Sequence, residues 1–332
     1  MKVSLRISLA LVAILACFSM LVACSGAQPG ATSTGSSGSS AEEAVIGDKL
    51  TREAKLKMPF WVLLMGCDTR ANTTEGEPAE PGTYNLRYSD TIILLHVQPE
   101  DHTITLVSIP RDTQAEMDGK VVKINEIMAT KGSDAATKNI EDMAGIDIKY
   151  TFTTDFARFV DAIDFFGGVD VVSPINMHYT GIVRSTDPYD LTEGENHLDG
   201  EGALGFARAR KVYAGYQDAC RQIQDRQIIQ RIIEAGTAGG EDVRDLYAQA
   251  TMQFTDTNMS EEDLRFYIDL FAENRGQLSF MSGTTPYEGW LMEEYELWMI
   301  PYDQAQWEEL FTSVENGEDP TKIVPLPEVA PF

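Results

Sequence analysis

Residues 60–66 read Phe-Trp-Val-Leu-Leu-Met-Gly, six apolar side chains in unbroken succession closed by a glycine. Successive side chains on a strand point to opposite faces, so a strand with no polar alternation must be covered on both. Two more β-rich runs, 91–97 (TIILLHV) and 103–109 (TITLVSI), flank the turn-forming Pro99-Glu100-Asp101 and predict a hairpin. Residues 121–124 suggest a short strand. Phe156, Phe159, Val160 and Ile163 recur at i, i+3, i+4, i+7, with Asp155 to cap and Gly167-Gly168 to stop, which predicts a helix over 155–166. Residues 169–172 read as the next strand, and 202–206, 218–235 and 260–271 are helical in pattern, the last with a Ser260/Asp263 cap signal. Strands alternate with helices early and helices dominate late. The expectation is an α/β fold, a sheet layered between helices, forming one large domain over residues 58–332.

The amino terminus sets the compartment. Lys2 and Arg6 precede an uncharged, mostly apolar stretch to Ala23, the pattern of a secretory signal over residues 1–23. It ends in Leu21-Val22-Ala23-Cys24, which resembles a lipobox, with Cys24 as the lipidated residue. An uncleaved transmembrane anchor is the alternative, although the run is short for a span of about 20 residues. Residues 24–57 open with a Ser/Thr/Gly-rich run to Ser40 and read as a flexible tether. The folded part is thus expected at the extracytoplasmic face of the cell membrane, anchored by lipid. Cys17 and Cys24 belong to the leader and lipobox, which leaves Cys67 and Cys220. One pair in an exported chain is a candidate disulfide, with two separate buried thiols as the alternative. No CxxC spacing supports zinc. The chain carries 26 Lys and Arg against 52 Asp and Glu, a formal charge of −26. That excludes a nucleic-acid partner but not a small anion held by clustered arginines.

Familiar catalytic signatures are missing: there is no P-loop, no HExxH and no GxSxG. Residues 200–205 (GEGALG) match G-x-G-x-x-G, yet the preceding Glu195-Asn196-His197-Leu198-Asp199 is polar and turn-like, so a dinucleotide site is not expected. His96, inside an apolar strand, reads as a packed side chain. Acids and arginines do gather at the ends of predicted elements: Asp68 and Arg70, Asp90, Arg111 and Asp112, Arg208 and Arg210, Arg221 and Arg226. Strand ends are where α/β folds hold ligands, and guanidinium forks match phosphate oxygens. Two carboxylates among arginines suggest a metal-assisted phosphate site. Taken singly, each is more often a cap or a surface ion pair. Arg208 and Arg210 would point about 200° apart on a helix, so they can share a ligand only where the helix has ended, as 211–215 (KVYAG) suggests.

The segments GCDTR (66–70), SDTIILL (89–95), VSIPRDT (107–113), KIN (123–125), FFGGVDV (165–171), LDGEGALGFARAR (198–210) and DACR (218–221), in this order, resemble the LytR–CpsA–Psr (LCP) family of bacterial cell-envelope proteins. The resemblance implies a central mixed β-sheet sandwiched between α-helices. It also implies a Mg²⁺-assisted phosphotransferase that moves an anionic glycopolymer from a polyprenyl-pyrophosphate carrier onto peptidoglycan. By the same resemblance, Asp68 and Asp90 match the family's metal-associated acids, with Asp90 and Arg111 at the catalytic centre. Arg70, Arg111, Lys123, Arg208, Arg210 and Arg221 match its pyrophosphate-binding set. The prenyl tail then needs an apolar groove, for which Phe156, Phe159, Val160, Ile163 and Phe166 are candidates, the alternative being ordinary core packing.

The chain departs from the family in two places. The family continues R-x-x-R-Q after its DxxR element, where this chain has Gln224 and Asp225, then Arg226. Asp225, four residues after Arg221, is placed to neutralise it on one helix face, unless Arg226 replaces the missing base. In addition, Cys67 abuts Asp68 and Cys220 abuts Arg221, which brings both thiols to one expected site. Three readings stay open: the transferase, a non-catalytic polyprenyl-pyrophosphate binder with a spoiled arginine cluster, and a pyrophosphatase-like hydrolase with water as acceptor.

Overall fold

A computed structural model of the chain describes residues 52–68 and 88–332. The leader, Cys24, most of the tether and Arg70 lie outside the described residues. Residues 52–57, read above as the end of the tether, are helical (α1), and Lys55 Nζ stands 2.6 Å from Asp263 Oδ1. Among the described residues no helix is long and apolar enough to cross a membrane.

The three apolar runs become β1 (Phe60–Asp68), β2 (Tyr88–Gln98) and β3 (Thr103–Ser108), antiparallel neighbours in sequence order. A small hairpin, β4 (Gln114–Met117) and β5 (Lys120–Lys123), leads into α2 (Ile124–Lys131) and α3 (Ser133–Ala144). Then come β6 (Ile148–Asp155) and α4 (Phe156–Phe166), whose Asp155 cap accepts the backbone N–H of Arg158 as the sequence predicts. Two small antiparallel pairs follow from β7 (Val169–Ser173), β8 (Met177–Thr180), β9 (Pro188–Leu191) and β10 (Gly194–Leu198). Next are α5 (Gly200–Arg208), α6 (Gln217–Ala238), α7 (Glu241–Phe254), β11 (Asp256–Thr257) and α8 (Glu261–Glu273), capped by Ser260. The chain closes with β12 (Ser279–Thr284), the hairpin β13 (Trp290–Met292) with β14 (Leu297–Met299), and α9 (Gln304–Glu315).

The main sheet is mixed and six-stranded, in the order β11-β6-β1-β2-β3-β12, with β6 parallel to β1 and β12 parallel to β3. Its two faces explain the unalternated runs. Trp61, Leu63 and Met65 of β1, with Ile92 and Leu94 of β2, pack under α2, α3 and α9. Phe60 and Val62, with Ile93, Leu95 and Val97, pack on the other side against α6 and α8. Removing both faces from water is the main source of stability here, roughly 25 cal/mol per Å² of apolar surface. A further core joins α4, α5 and the β7–β10 pairs to the flank of α6. The α/β class and the sheet between helix layers are as predicted.

The G-x-G-x-x-G expectation needs correction in its reasoning. A strand, β10, does precede the glycines, but it pairs antiparallel with β7 and builds no parallel βαβ unit. The glycines serve close packing: a Cβ on Gly200 would sit 2.3 Å from the Val160 carbonyl oxygen, and one on Gly205 2.3 Å from the Tyr179 ring.

Candidate functional site

Asp90 owes its position to an irregularity in the sheet. Opposite β1, Thr91 pairs with Gly66 and Ser89 with Cys67, so Asp90 is the extra residue of a β-bulge. Bulges re-aim a side chain, and they recur beside functional sites. Gly66 permits the tight approach, since a Cβ there would lie 3.2 Å from Thr91 Cβ. Asp68 lies at the buried end of β1, in register with Tyr88.

Arg111 meets Asp90 from the loop after β3. Its Nη1 lies 3.0 Å from Asp90 Oδ2, and its Nε lies 3.6 Å from Asp218 Oδ1 and 3.9 Å from Asp112 Oδ2. That Nε is buried and makes no hydrogen bond. Lys123 pairs with Asp112 at 2.7 Å. Asn125 donates from Nδ2 to Asp90 at 3.4 Å, and its buried Oδ1 accepts nothing. The backbone of the KIN segment is sewn to the same loop, through Ile124 N to Thr113 O (2.8 Å) and Asn125 N to Arg111 O (3.3 Å).

The first turns of α6 supply the buried charges. Arg221 is 5% exposed and all three of its nitrogens donate within the protein. Nε bonds Asp218 (3.1 Å), Nη1 bonds Asp225 (2.5 Å) and Thr91 (3.3 Å), and Nη2 bonds the Asp90 carbonyl (3.0 Å). Burial would lower the Arg221 pKa, but Asp225 and Asp218 outweigh it and raise it. Burial likewise works against the Asp218 carboxylate, and Arg221 overcomes it, holding that pKa below its ordinary value. Asp225 is pushed up to about 6 by burial, against the pull of Arg221. The neutralisation foreseen for Asp225 is therefore present. Arg226 does not replace the missing base. It turns to the sheet and donates to Ser108 and Ser282 at 2.7 Å each, and burial lowers its pKa to about 10.

A cavity of about 420 Å³ opens between the sheet and α4, α6, α7 and α8. Its interior is apolar, and its rim carries Asp90, Thr91, Arg111, Arg208, Arg210, Arg221 and Asp225. Arg208 and Arg210 share this rim because α5 ends at Arg208 and Ala209 is extended (φ −68°, ψ 104°). The Arg208 guanidinium lies 4.6 Å from the centre of the Phe156 ring. Of the predicted groove residues, Phe156, Phe159, Ile163 and Phe166 line the cavity, while Val160 is fully buried and faces Gly200.

Some expectations shift. Cys67 and Cys220 are separate buried thiols, not a disulfide. Cys220 Sγ donates to the carbonyls of Gly215 (3.6 Å) and Glu328 (3.8 Å). Asp90, Arg111, Arg208, Arg210 and Arg221 line one cavity, whereas Asp68 and Lys123 are not part of its lining and Arg70 lies outside the described residues. Thr91, Asn125 and Asp218 join the site without having been singled out; the i, i+3 spacing of Asp218 and Arg221 was a signal available in the sequence. Among the described residues no group of three or more acids, cysteines and histidines could hold a metal alone. One bulged carboxylate beside an unpartnered amide oxygen does fit a Mg²⁺ that takes its remaining ligands from phosphate and water.

A model of the LytR_cpsA_psr family matches residues 23–312. The polyisoprenyl-teichoic acid–peptidoglycan teichoic acid transferase TagU of Bacillus cereus is 33% identical over 196 residues, 57% of this chain and 57% of that protein. The corresponding transferase TagV of Bacillus subtilis is 30% identical over 208 residues, 61% of this chain and 50% of that one. The matched part thus spans about half the length of these relatives. The crystal structure of B. subtilis TagV superposes with a TM-score of 0.63 at 23% identity, covering 82% of this chain and 99% of that one.

Proposed function

The chain belongs to the LytR_cpsA_psr family, and from that premise we propose that it transfers an anionic glycopolymer from a polyprenyl-pyrophosphate carrier onto peptidoglycan. The observation that carries this reading is the cavity itself. An apolar interior of about 420 Å³ ends at a rim holding Asp90, Arg111, Arg208 and Arg210. An amphiphile with a prenyl tail and a pyrophosphate head matches that division. The interior takes part of the tail, at roughly 0.8 kcal/mol per buried methylene. Arg208, Arg210 and Arg111 neutralise the diphosphate, whose charge would otherwise repel an incoming nucleophile.

In the transfer step a hydroxyl oxygen of peptidoglycan attacks the phosphorus that bears the glycopolymer. The new P–O–C ester forms as the bridging P–O bond breaks, and polyprenyl phosphate leaves with that electron pair. Asp90 would accept the hydroxyl proton. Asp90, with the unpartnered Asn125 amide oxygen, would hold a Mg²⁺; when bound, the ion would offset charge on the diphosphate oxygens. Arg221 acts as a scaffold that fixes Thr91 and the Asp90 backbone. A lipid at Cys24, or an uncleaved anchor, would keep the rim near the membrane that carries the donor.

The 2.5 Å pairing of Arg221 with Asp225 favours a second reading, a binder without turnover. Full-length protein in detergent, incubated with labelled lipid-linked donor, peptidoglycan and Mg²⁺, separates the two. Label joined to peptidoglycan, lost in Asp90→Ala and Arg111→Ala, supports the transferase. Retained donor with no product identifies the binder, and free phosphorylated glycan identifies a hydrolase.

A further inference from the structure

Beside the charged rim, and distinct from the apolar cavity, runs a second groove of about 500 Å³. Its wall is the β13–β14 hairpin and its opposite side the start of α6, with Tyr216, Tyr287, Trp290 and Trp298 in the lining. Trp290 and Trp298 are 55% and 45% exposed, on a hairpin of two three-residue strands. Large rings left this open in the lining of one groove mark a contact surface. Trp298 is held in place: its ring lies over Gly289, where a Cβ would meet it at 2.8 Å. Tyr216 takes φ +41°, a conformation bulky residues rarely adopt. Its hydroxyl donates to Glu288 at 3.0 Å, and its ring stands edge-on to Tyr287 at 5.2 Å.

The groove is continuous with the reacting end of the site. Ile300, just after β14, donates to the Asp112 carbonyl (3.0 Å) and accepts from Gln114 (2.7 Å), which pins the hairpin to the loop carrying Arg111. Asp112 and Asp218, both neighbours of Arg111, line the groove as well. Aromatic faces flanked by carboxylates suit a pyranose chain, whose C–H faces stack on rings and whose hydroxyls donate to acceptors. A lipid surface also attracts exposed tryptophan. Here, though, the hairpin turn carries Glu293, Glu294 and Glu296 on a chain of net charge −26, which anionic headgroups repel.

We infer that this groove is the docking site of the acceptor, an uncharged, N-acetylated, β-linked sugar chain laid across Trp290, Trp298 and Tyr216 so that a hydroxyl reaches the Asp90–Arg111 pair. The inference rests on the transferase reading and adds where its second substrate sits. Donor and acceptor then approach the same guanidinium from opposite sides, the donor through the apolar cavity and the acceptor along the hairpin.

The test titrates full-length protein in neutral detergent with a soluble β-linked N-acetylglucosamine oligomer, read by tryptophan fluorescence and calorimetry. Binding of lipid-linked pyrophosphate donor is measured in parallel. Binding of the oligomer that weakens about tenfold or more in Trp290→Ala and in Trp298→Ala, is largely kept in Trp298→Phe, and leaves donor affinity and melting temperature unchanged supports the inference. Wild-type protein that takes donor but no oligomer overturns it and leaves the transferase reading standing. Failure to take donor sinks the transferase reading, and the inference with it. Tryptophan-dependent binding to phosphatidylcholine–phosphatidylglycerol vesicles in place of the oligomer would assign the hairpin to the membrane and overturn the proposal.

Discussion

Arg221 and Asp225 show how one residue pair can be read two ways. Along the sequence, an acid four residues after a phosphate-binding arginine looks like damage to an anion site. In the fold, Arg221 is a buried hub that ties Asp218, Asp225, Thr91 and the Asp90 carbonyl together. Asp225 is the only one of its carboxylate partners that is itself buried, at 4% exposure. Removing one member of a buried ion pair leaves the other charge poorly compensated, which typically costs about 3–5 kcal/mol. Asp225→Ala should therefore lower the unfolding free energy measured by urea titration by an amount in that range and loosen the Asp90 bulge. A stability unchanged by that substitution would mean that Arg221 does not depend on this partner. Asp90, Arg111, Arg208 and Arg210 were legible in the sequence because motif order marks them. Thr91, Asn125 and Asp218 lie in the same quoted segments, but their parts are set by a one-residue bulge and by arginines that reach them across the fold, neither of which leaves a trace in hydrophobic pattern.

Elements were legible in proportion to how completely they are buried. β1, β2 and β3 announced themselves as apolar runs, and α4 by an apolar stripe with a cap. The helices α2 and α3 escaped notice because their buried positions are few and separated by polar residues, as Ala136, Ile140, Met143 and Ala144 of α3 show. β10 escaped because its exposed residues alternate on a two-stranded pair, where a polar segment serves as well as an apolar one. The glycines of α5 test the packing account. In Gly205→Ala the new methyl meets the Tyr179 ring, and overpacking of this kind costs typically 1–3 kcal/mol, which thermal melting should register with the fold intact. β2 offers a pH test. His96 is 2% exposed, its ring centre lies 4.6 Å from that of Trp61, and burial lowers its pKa. The unfolded chain then takes up a proton at this residue below about pH 6.5 while the folded chain resists it, so stability falls as pH drops through that value. His96→Phe keeps the ring and should flatten the pH dependence of the melting temperature between about pH 7 and pH 5; an unchanged slope would assign the effect to other groups.

At the scale of the whole molecule, the fold holds an oily volume against a charged rim without letting either spoil the other. The sheet presents one face to a closed core under α2, α3 and α9, and the other face to the cavity, so the same strands that end in Asp68 and Asp90 also wall the apolar interior. That arrangement makes tail and head separable by substitution. Ala162 of α4 lines the cavity, six residues along the helix from the Phe156 that meets Arg208. A leucine there would fill space the tail needs and would leave Asp90, Arg111, Arg208 and Arg210 in place. Ala162→Leu should weaken binding of a long-chain donor by about tenfold, the worth of one or two buried methylenes, and leave a short-chain pyrophosphate donor bound as before. Equal weakening of both donors would show that the volume is ordinary core and that the tail is held elsewhere. Loss for the long chain alone would tie the apolar cavity and the charged rim to two ends of a single ligand.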